Sequence, residues 1–292
     1  GYIGVGGVAR PFWNGEKALV SYGPIIAMST VRCGHAGGTV GNYALFAGGQ
    51  DANTYVSTVD TYNTALTRGS APNLNAAVWN HAAASVGDYV IFAGGRNNNY
   101  QSTATAYNRS LTRSSPSSLS TARDGLTSAS VGGYALFAGG SRGSGPLKTV
   151  DAYNTSLTRS SAASLSDKKY EHQGATVNGC AVFAGGESPG ALKTVDVYDT
   201  SLTKKSAAPL SVGMNNFASA SIDDFAIFAG GQNANGAVNA YSKSLTRSTL
   251  TLNSGAVKRT SFSGARVGGY ALFSGGLLNG TEINSVEAFT AL

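Results

Sequence analysis

The sequence predicts an all-β fold, a six-bladed β-propeller of four-stranded antiparallel blades, and three observations carry that prediction. A seven-residue phrase returns as YALFAGG from Tyr43, YVIFAGG from Tyr89, YALFAGG from Tyr134, CAVFAGG from Cys180, FAIFAGG from Phe225 and YALFSGG from Tyr270. Its first glycines, Gly48, Gly94, Gly139, Gly185, Gly230 and Gly275, stand 45 or 46 residues apart, a spacing that marks propellers and solenoids. Each period also repeats one order of signals: strand, tight turn, strand, loop, strand, tight turn, strand.

Taken in order, a period opens on a strand of small residues such as His81 to Val86. A two-residue link follows: Gly41-Asn42, Gly87-Asp88, Gly132-Gly133, Asn178-Gly179, Asp223-Asp224 or Gly268-Gly269. These residues tolerate the positive φ that primed hairpin turns require. The apolar phrase is the second strand, and a polar loop leads to a third strand ending at Tyr62, Tyr107, Tyr153, Tyr198, Tyr241 or Phe289. A fourth strand follows in the copies ALTRG, SLTRS, SLTRS, SLTKK and SLTRS, which begin at Ala65, Ser110, Ser156, Ser201 and Ser244.

On the Gly-Gly ending of the second strand and the Val-rich third strand ending in Tyr then Asn or Asp, the chain resembles the kelch repeat family over roughly residues 18–292. Kelch repeats usually carry a Trp about six residues past that Tyr. Here Arg68, Arg113, Arg159, Lys204 and Arg247 hold the place, with Leu66, Leu111, Leu157, Leu202 and Leu245 as the apolar residue of the same strand. The resemblance implies a propeller whose blade packing differs in detail.

The last unit stops at Leu292, after its third strand. ALVSYGPIIAMSTVR aligns with SLTRSSPSSLSTAR, with Leu19 matching Leu111, Met28 matching Leu119 and Arg32 matching Arg123. The N-terminal segment, about residues 18–27, is therefore expected to supply the outer strand of the last blade and close the ring. This gives a division into a linker or attachment segment, residues 1–17, and a propeller, residues 18–292.

Formal charge is +6, which invites a nucleic-acid reading. Five of those cations are the repeated fourth-strand residues, expected to lie on the exposed blade edges, where they discourage pairing with other chains. They form a ring and not a patch, so no nucleic-acid partner is expected. No apolar run is long enough to span a membrane, so no membrane partner is expected either. Cys33 and Cys180 fall at opposite ends of different blades, too far apart for a disulfide.

Links between strands one and two, and three and four, share one face of the disc, where the copies are nearly interchangeable. The other face carries the two–three loops and the blade-to-blade segments, and there the copies diverge. Divergence confined to one face marks a contact surface. Its ligand-binding candidates are Trp79, Tyr55, Tyr100, Tyr170, Arg32, Arg123, Arg259, Asp124, Glu171, Asn98 and Asn215, with Gln50, Asn97, Asn99, Asn216 and Gln232 beside them. Aromatics among amides and charges suit a carbohydrate or a protein loop.

Sharper chemistry is weaker. His35, His81 and His172 share a register with Leu126, Phe217 and Phe262, which reads as inter-blade packing before a metal site, and no metal or other cofactor is expected. Arg32, Arg123 and Arg259 beside Tyr170 and Glu171 resemble the arginine triad and Tyr–acid pair of sialidases, but no Asp-box turn is present. A copper oxidase of the galactose-oxidase kind would have only Cys33 on that face. No G-x-S-x-G elbow marks a hydrolase.

YIGVGGVAR, Tyr2 to Arg10, is similar to short segments near the N-termini of tail-associated proteins in phages and prophages of Gram-positive bacteria. That resemblance implies a virion-associated or extracellular, non-catalytic recognition module. Its partners would be a host-surface glycan or protein on the divergent face and other tail proteins on residues 1–17. The alternative is a secreted or surface-displayed bacterial propeller acting on or binding glycans. On the expected closure, deleting residues 1–27 unfolds the propeller, read as loss of the cooperative thermal transition; a retained transition contradicts it.

Overall fold

A computed structural model describes residues 2–5, 8–11, 26–51, 54–222, 224–252, 259–260, 263–267, 270–274, 277–279, 281–282 and 286–290. Every regular element among them is a β-strand. Five four-stranded antiparallel sheets follow one another along the chain. The first is Ala36–Val40, Tyr43–Ala47, Val59–Tyr62 and Arg68–Ala71, and the third is Thr127–Val131, Tyr134–Ala138, Val150–Asn154 and Arg159–Ser161. A further sheet holds Ser263–Val267, Tyr270–Ser274 and Val286–Thr290. The strand that would complete it, expected over 18–27, lies outside the described residues but for Ile26 and Ala27.

Alternation along the second strands explains how the sheets stack. In Tyr89–Ala93, Val90 and Phe92 join Val40, Leu45 and Val59 of the first sheet in one buried cluster. Ile91 and Ala93, on the opposite side, join Phe137 and Tyr153 of the third. A sheet buried on both faces needs apolar residues at every position, which is why these strands read as unbroken apolar runs. The first strands lie side by side from sheet to sheet. Their hydroxyls tie them together, Ser85 donating to Thr39 O at 2.6 Å, Ser130 to Ser85 O at 2.7 Å and Thr176 to Ser130 O at 2.8 Å.

The repeated aromatic at the end of each third strand reaches across a joint. Tyr107 Oη donates to Pro72 O at 2.5 Å, Tyr153 Oη to Ser117 O at 2.7 Å and Tyr198 Oη to Ala163 O at 2.7 Å. Tyr62 Oη does the same to Ile26 O at 2.8 Å, which places Ile26 where the Met28–Leu119 alignment puts it. The outer-strand cations have a role that the edge argument missed. Arg68 donates to Ala27 O, Arg113 to Asn73 O, Lys204 to Ser164 O and Arg247 to Pro209 O, so these side chains tie a sheet to the segment leading into it.

Leu66, Leu111, Leu157, Leu202 and Leu245 all sit at φ between 58° and 61°, a conformation that costs an L-residue about 1–2 kcal/mol. An Asx turn holds it: Asn108 Oδ1 accepts from Ser110 N and Thr112 N at 3.0 and 2.9 Å. Burial offsets the cost, since Leu111 packs on the cluster shared by the first two sheets and Leu157 on that shared by the second and third.

The histidines occupy the expected packing register. A Cβ built on Gly48 would stand 2.7 Å from His81 Cε1, and one on Gly139 2.6 Å from His172 Cε1; on Gly185 it would meet Phe217. Both nitrogens of His81 and His172 are buried without a hydrogen-bond partner. Burial, with His35 adding to it, holds His81 down to about 3, and burial, with Lys169 next, holds His172 well below the ordinary value of 6.5. Both are neutral when folded and take up a proton below pH 6.5 when unfolded, so this contribution is complete above pH 6.5 and is lost as pH falls, in the case of His81 towards 3. Each histidine contributes a slope of up to about 1.4 kcal/mol per pH unit in that window. His81→Leu, borrowing the residue at position 126, is expected to reduce the stability lost between pH 7 and pH 4.5 in denaturant titrations; an unchanged pH dependence contradicts it.

Candidate functional site

The divergent face is built from small ladders just beyond each Gly-Gly. Gln50 bridges Cys33 and Tyr55, Arg96 bridges Trp79 and Tyr100, and Glu187 bridges Tyr170 and Ala191. Asp124 pairs with Ser141, whose strand Ser141–Arg142 turns back at Gly145–Pro146. Each two–three loop thus folds over the segment that leads into its own sheet. Those segments are joined in turn: Asn80 N donates to Gly34 O at 2.9 Å, Gly125 N to Asn80 O at 3.1 Å and Glu171 N to Gly125 O at 3.3 Å. Gly34, Asn80, Gly125, Glu171 and Asn216 all take φ between 52° and 61°.

Arg32, Arg123 and Arg259 are not on this surface. They are buried, Arg123 and Arg259 completely, and their register belongs to the interior. Arg123 Nη2 lies 2.8 Å from Asp151 Oδ2 and donates to Phe137 O at 3.0 Å, while its Nη1 donates to Thr149 Oγ1 at 2.9 Å. Arg32 repeats the pattern with Asp60 at 2.7 Å, Phe46 O at 2.9 Å and Thr58 Oγ1 at 2.6 Å. Lys169 Nζ lies 3.0 Å from Asp196 Oδ2. Burial pushes the Asp196 carboxyl up, but Lys169 and Ser166 outweigh it and hold the group below its ordinary value.

The partner changes with the cation. Where Val78 replaces it the third strand carries Thr105, and where Met214 replaces it the third strand carries Asn239, which donates to Met214 Sδ at 3.4 Å. A buried charge is tolerated only with a partner, so both members change together. An arginine triad for a ligand carboxylate is therefore excluded at these positions, since the guanidinium ends are engaged internally.

Asn215 is also buried, with Nδ2 donating to Glu187 Oε2 at 2.6 Å, so it braces the face and does not present itself. Trp79 and Tyr170 are half-buried for a packing reason. A Cβ on Gly34 would stand 3.0 Å from Trp79 Cε3, and one on Gly125 3.7 Å from Tyr170 Cβ. An aromatic thus covers the preceding segment where that segment has glycine. Where it has Asn80 or Glu171 instead, the follower is Asp124 or Asn215. Part of the variation on this face is consequently imposed by neighbours.

The remaining candidates do face outward. Asn98 and Glu171 are exposed, and Tyr55, Tyr100 and Asp124 are half-exposed. Tyr100 carries the Arg96 guanidinium over its ring, 5.6 Å from the centroid. Burial raises the Asp124 carboxyl, with Arg96 opposing. On the next lead-in segment burial, then Glu187, raises the Glu171 carboxyl. Sequence reasoning missed Arg142, exposed at the tip of the 141–146 hairpin, because nothing repeats it in other copies.

No protein-family model matches the sequence, and no curated protein matches it. Among solved structures, that of YjhT is similar, with a TM-score of 0.68 over 91% of this chain and 97% of that one at 13% identity. At that identity the likeness speaks for the fold alone, and 486 solved chains match, so it selects no activity. The architecture is that of a β-propeller.

The buried pairs give a direct test. Asp151→Thr alone leaves Arg123 buried without its carboxylate and is expected to cost about 3–5 kcal/mol in denaturant unfolding. Adding Arg123→Val, which reproduces the Val78–Thr105 combination, is expected to recover more than half of that loss. A double variant no more stable than the single one contradicts the pairing.

Proposed function

We propose that this chain is a six-bladed, kelch-like propeller, closed by the N-terminal segment of about residues 18–27, that serves as a non-catalytic recognition module of a phage or prophage tail. The observation that carries the binding role is the unequal commitment of its two faces. On the first face the turns are pinned: Arg109 lies over Gly41, Thr155 over Gly87 and Thr200 over Gly132, and Asn63, Asn108 and Asn154 are consumed capping their own turns. On the other face Asn98, Asn99 and Arg142 are exposed without serving a joint, and Tyr55 and Tyr100 end their ladders with half-exposed rings. Aromatic and amide side chains of this kind suit a host-surface glycan or protein.

The N-terminal segment supports an attachment role. Tyr2–Val5 and Val8–Pro11 pair as an antiparallel hairpin with Val5 opposite Val8, a regular element within the segment read as a linker or attachment. Internal use of Arg32 and Arg123 supports a non-catalytic reading. A glycan-acting enzyme is favoured by one observation only, the raised carboxyl of Glu171 beside Tyr170 and Glu187.

The fluorescently labelled protein is expected to stain the surface of Gram-positive cells, with staining reduced at least tenfold by Asn98→Ala together with Tyr100→Ala and unaffected by Asn63→Ala on the opposite face. Staining insensitive to the first variant, or none on any strain of a broad panel, contradicts the proposal. Turnover of aryl glycosides abolished by Glu171→Gln would establish the enzymatic reading in its place.

A further inference from the structure

Between the two–three loops of the second and third sheets lies a groove of about 450 Å³, lined by Asn99, Tyr100, Ala122, Arg142, Gly143 and Ser144. That volume is within the range of small-molecule sites, about 300–1,000 Å³. Its walls are set by the fold. On one side Asn97 Oδ1 accepts from Asn99 N at 2.9 Å and from Gln101 Nε2 at 3.0 Å, so the Asn-rich loop is braced from within and the Asn99 side-chain amide is left for the groove. On the other side the pairs Ser141–Pro146 and Arg142–Gly145 fix the hairpin that presents Arg142. Gly143 keeps that wall close to the aromatic: a Cβ there would stand 3.9 Å from Tyr100 Cε2.

The groove carries an unmatched positive charge. Some exposed cations among the described residues have acidic partners, Arg109 in Asp88 at 2.8 Å, Lys205 in Asp199 at 3.0 Å and Lys243 in Asp224 at 2.5 Å. The Arg142 guanidinium is exposed and has neither an ion pair nor a hydrogen bond to any described residue, and the Lys148 ammonium at the end of the same loop has none either. No acidic residue lines the groove. An exposed guanidinium is a planar fork suited to carboxylate or phosphate, and a half-exposed tyrosine offers an apolar ring face with a polar tip, which suits the flank of a sugar.

We infer that this groove is a subsite for an anionic saccharide, with Tyr100 against the sugar ring, Arg142 on its carboxylate or phosphate and Asn99 on a hydroxyl. The inference rests on the divergent face being a recognition surface and assigns that surface its ligand chemistry. The intact chain is titrated calorimetrically with three probes: an oligogalacturonate, a phosphorylated hexose oligomer and a neutral galacto-oligosaccharide. Binding of an anionic probe at least tenfold tighter than the neutral one is expected, lost at least tenfold in Arg142→Gln and in Tyr100→Ala, and weakened by raising salt. Asn63→Ala, on the opposite face, is expected to leave binding unchanged, and the exposed Arg142→Gln variant separates loss of binding from misfolding. Whether the carboxylated or the phosphorylated probe binds identifies the anion. Equal affinity for neutral and anionic probes, or anionic binding indifferent to both groove variants, overturns the inference while leaving surface recognition standing. Failure of all three probes overturns it as well, and cell staining then decides separately whether the face recognises anything.

Discussion

The joints between sheets depend on a backbone contact that no side chain could share. The second glycine of each pair donates its N–H across the joint: Gly49 to Val78 O at 2.7 Å, Gly95 to Arg123 O at 2.8 Å, Gly140 to Lys169 O at 2.9 Å, Gly186 to Met214 O at 2.8 Å and Gly231 to Arg259 O at 2.8 Å. A Cβ on the first glycine would meet that same carbonyl, at 2.7 Å for Gly48 and 2.6 Å for Gly139 and Gly185. A Cβ on the second would strike the sheet's own lead-in segment, at 2.7 Å for Gly49 and Gly140. Both glycines take positive φ, which other residues adopt only at a cost. The most repeated feature of the sequence is thus one where two segments of the chain pass too closely for a side chain.

From that contact the rest of each joint follows. Fixing the carbonyl of the lead-in segment directs its side chain inward, where an arginine or lysine meets an aspartate or a Val or Met meets Thr105 or Asn239. One residue further on, the side chain covers or avoids its neighbour's left-handed residue. Only beyond the ladder at Gln50, Arg96, Ser141 and Glu187 does the chain escape these demands. The divergent face is therefore a composite: a braced inner register whose changes are compensated, and outer loops whose changes are not.

Much of this was legible in the residues. The glycine period placed the second strands, as Tyr43–Ala47 and Tyr134–Ala138 show, and the histidine register was readable as packing because Leu126 and Phe217 share it. The inward arginines were not, because arginine is ordinarily a surface residue and its partner lies 28 residues away. The signal was nonetheless present in the column of Asp60, Thr105, Asp151, Asp196 and Asn239, which tracks the cation copy by copy. Trp79 and Tyr170 misled for a related reason: their glycine partners, Gly34 and Gly125, belong to the preceding repeat, so comparison within one register hides the pairing. The N-terminal hairpin was announced by Val5-Gly6-Gly7-Val8, two valines about a pair of glycines, and was masked by its glycine content.

Variable positions on one face divide into those that hold sheets together and those that serve no joint. An alanine scan read by thermal midpoint separates them most directly. Alanine at Trp79, Arg123, Tyr170 and Asn215 is expected to lower the midpoint by several degrees each, while alanine at Tyr55, Asn98 and Arg142 leaves it within about a degree. Outer-loop substitutions as destabilising as those of the inner register would contradict this division.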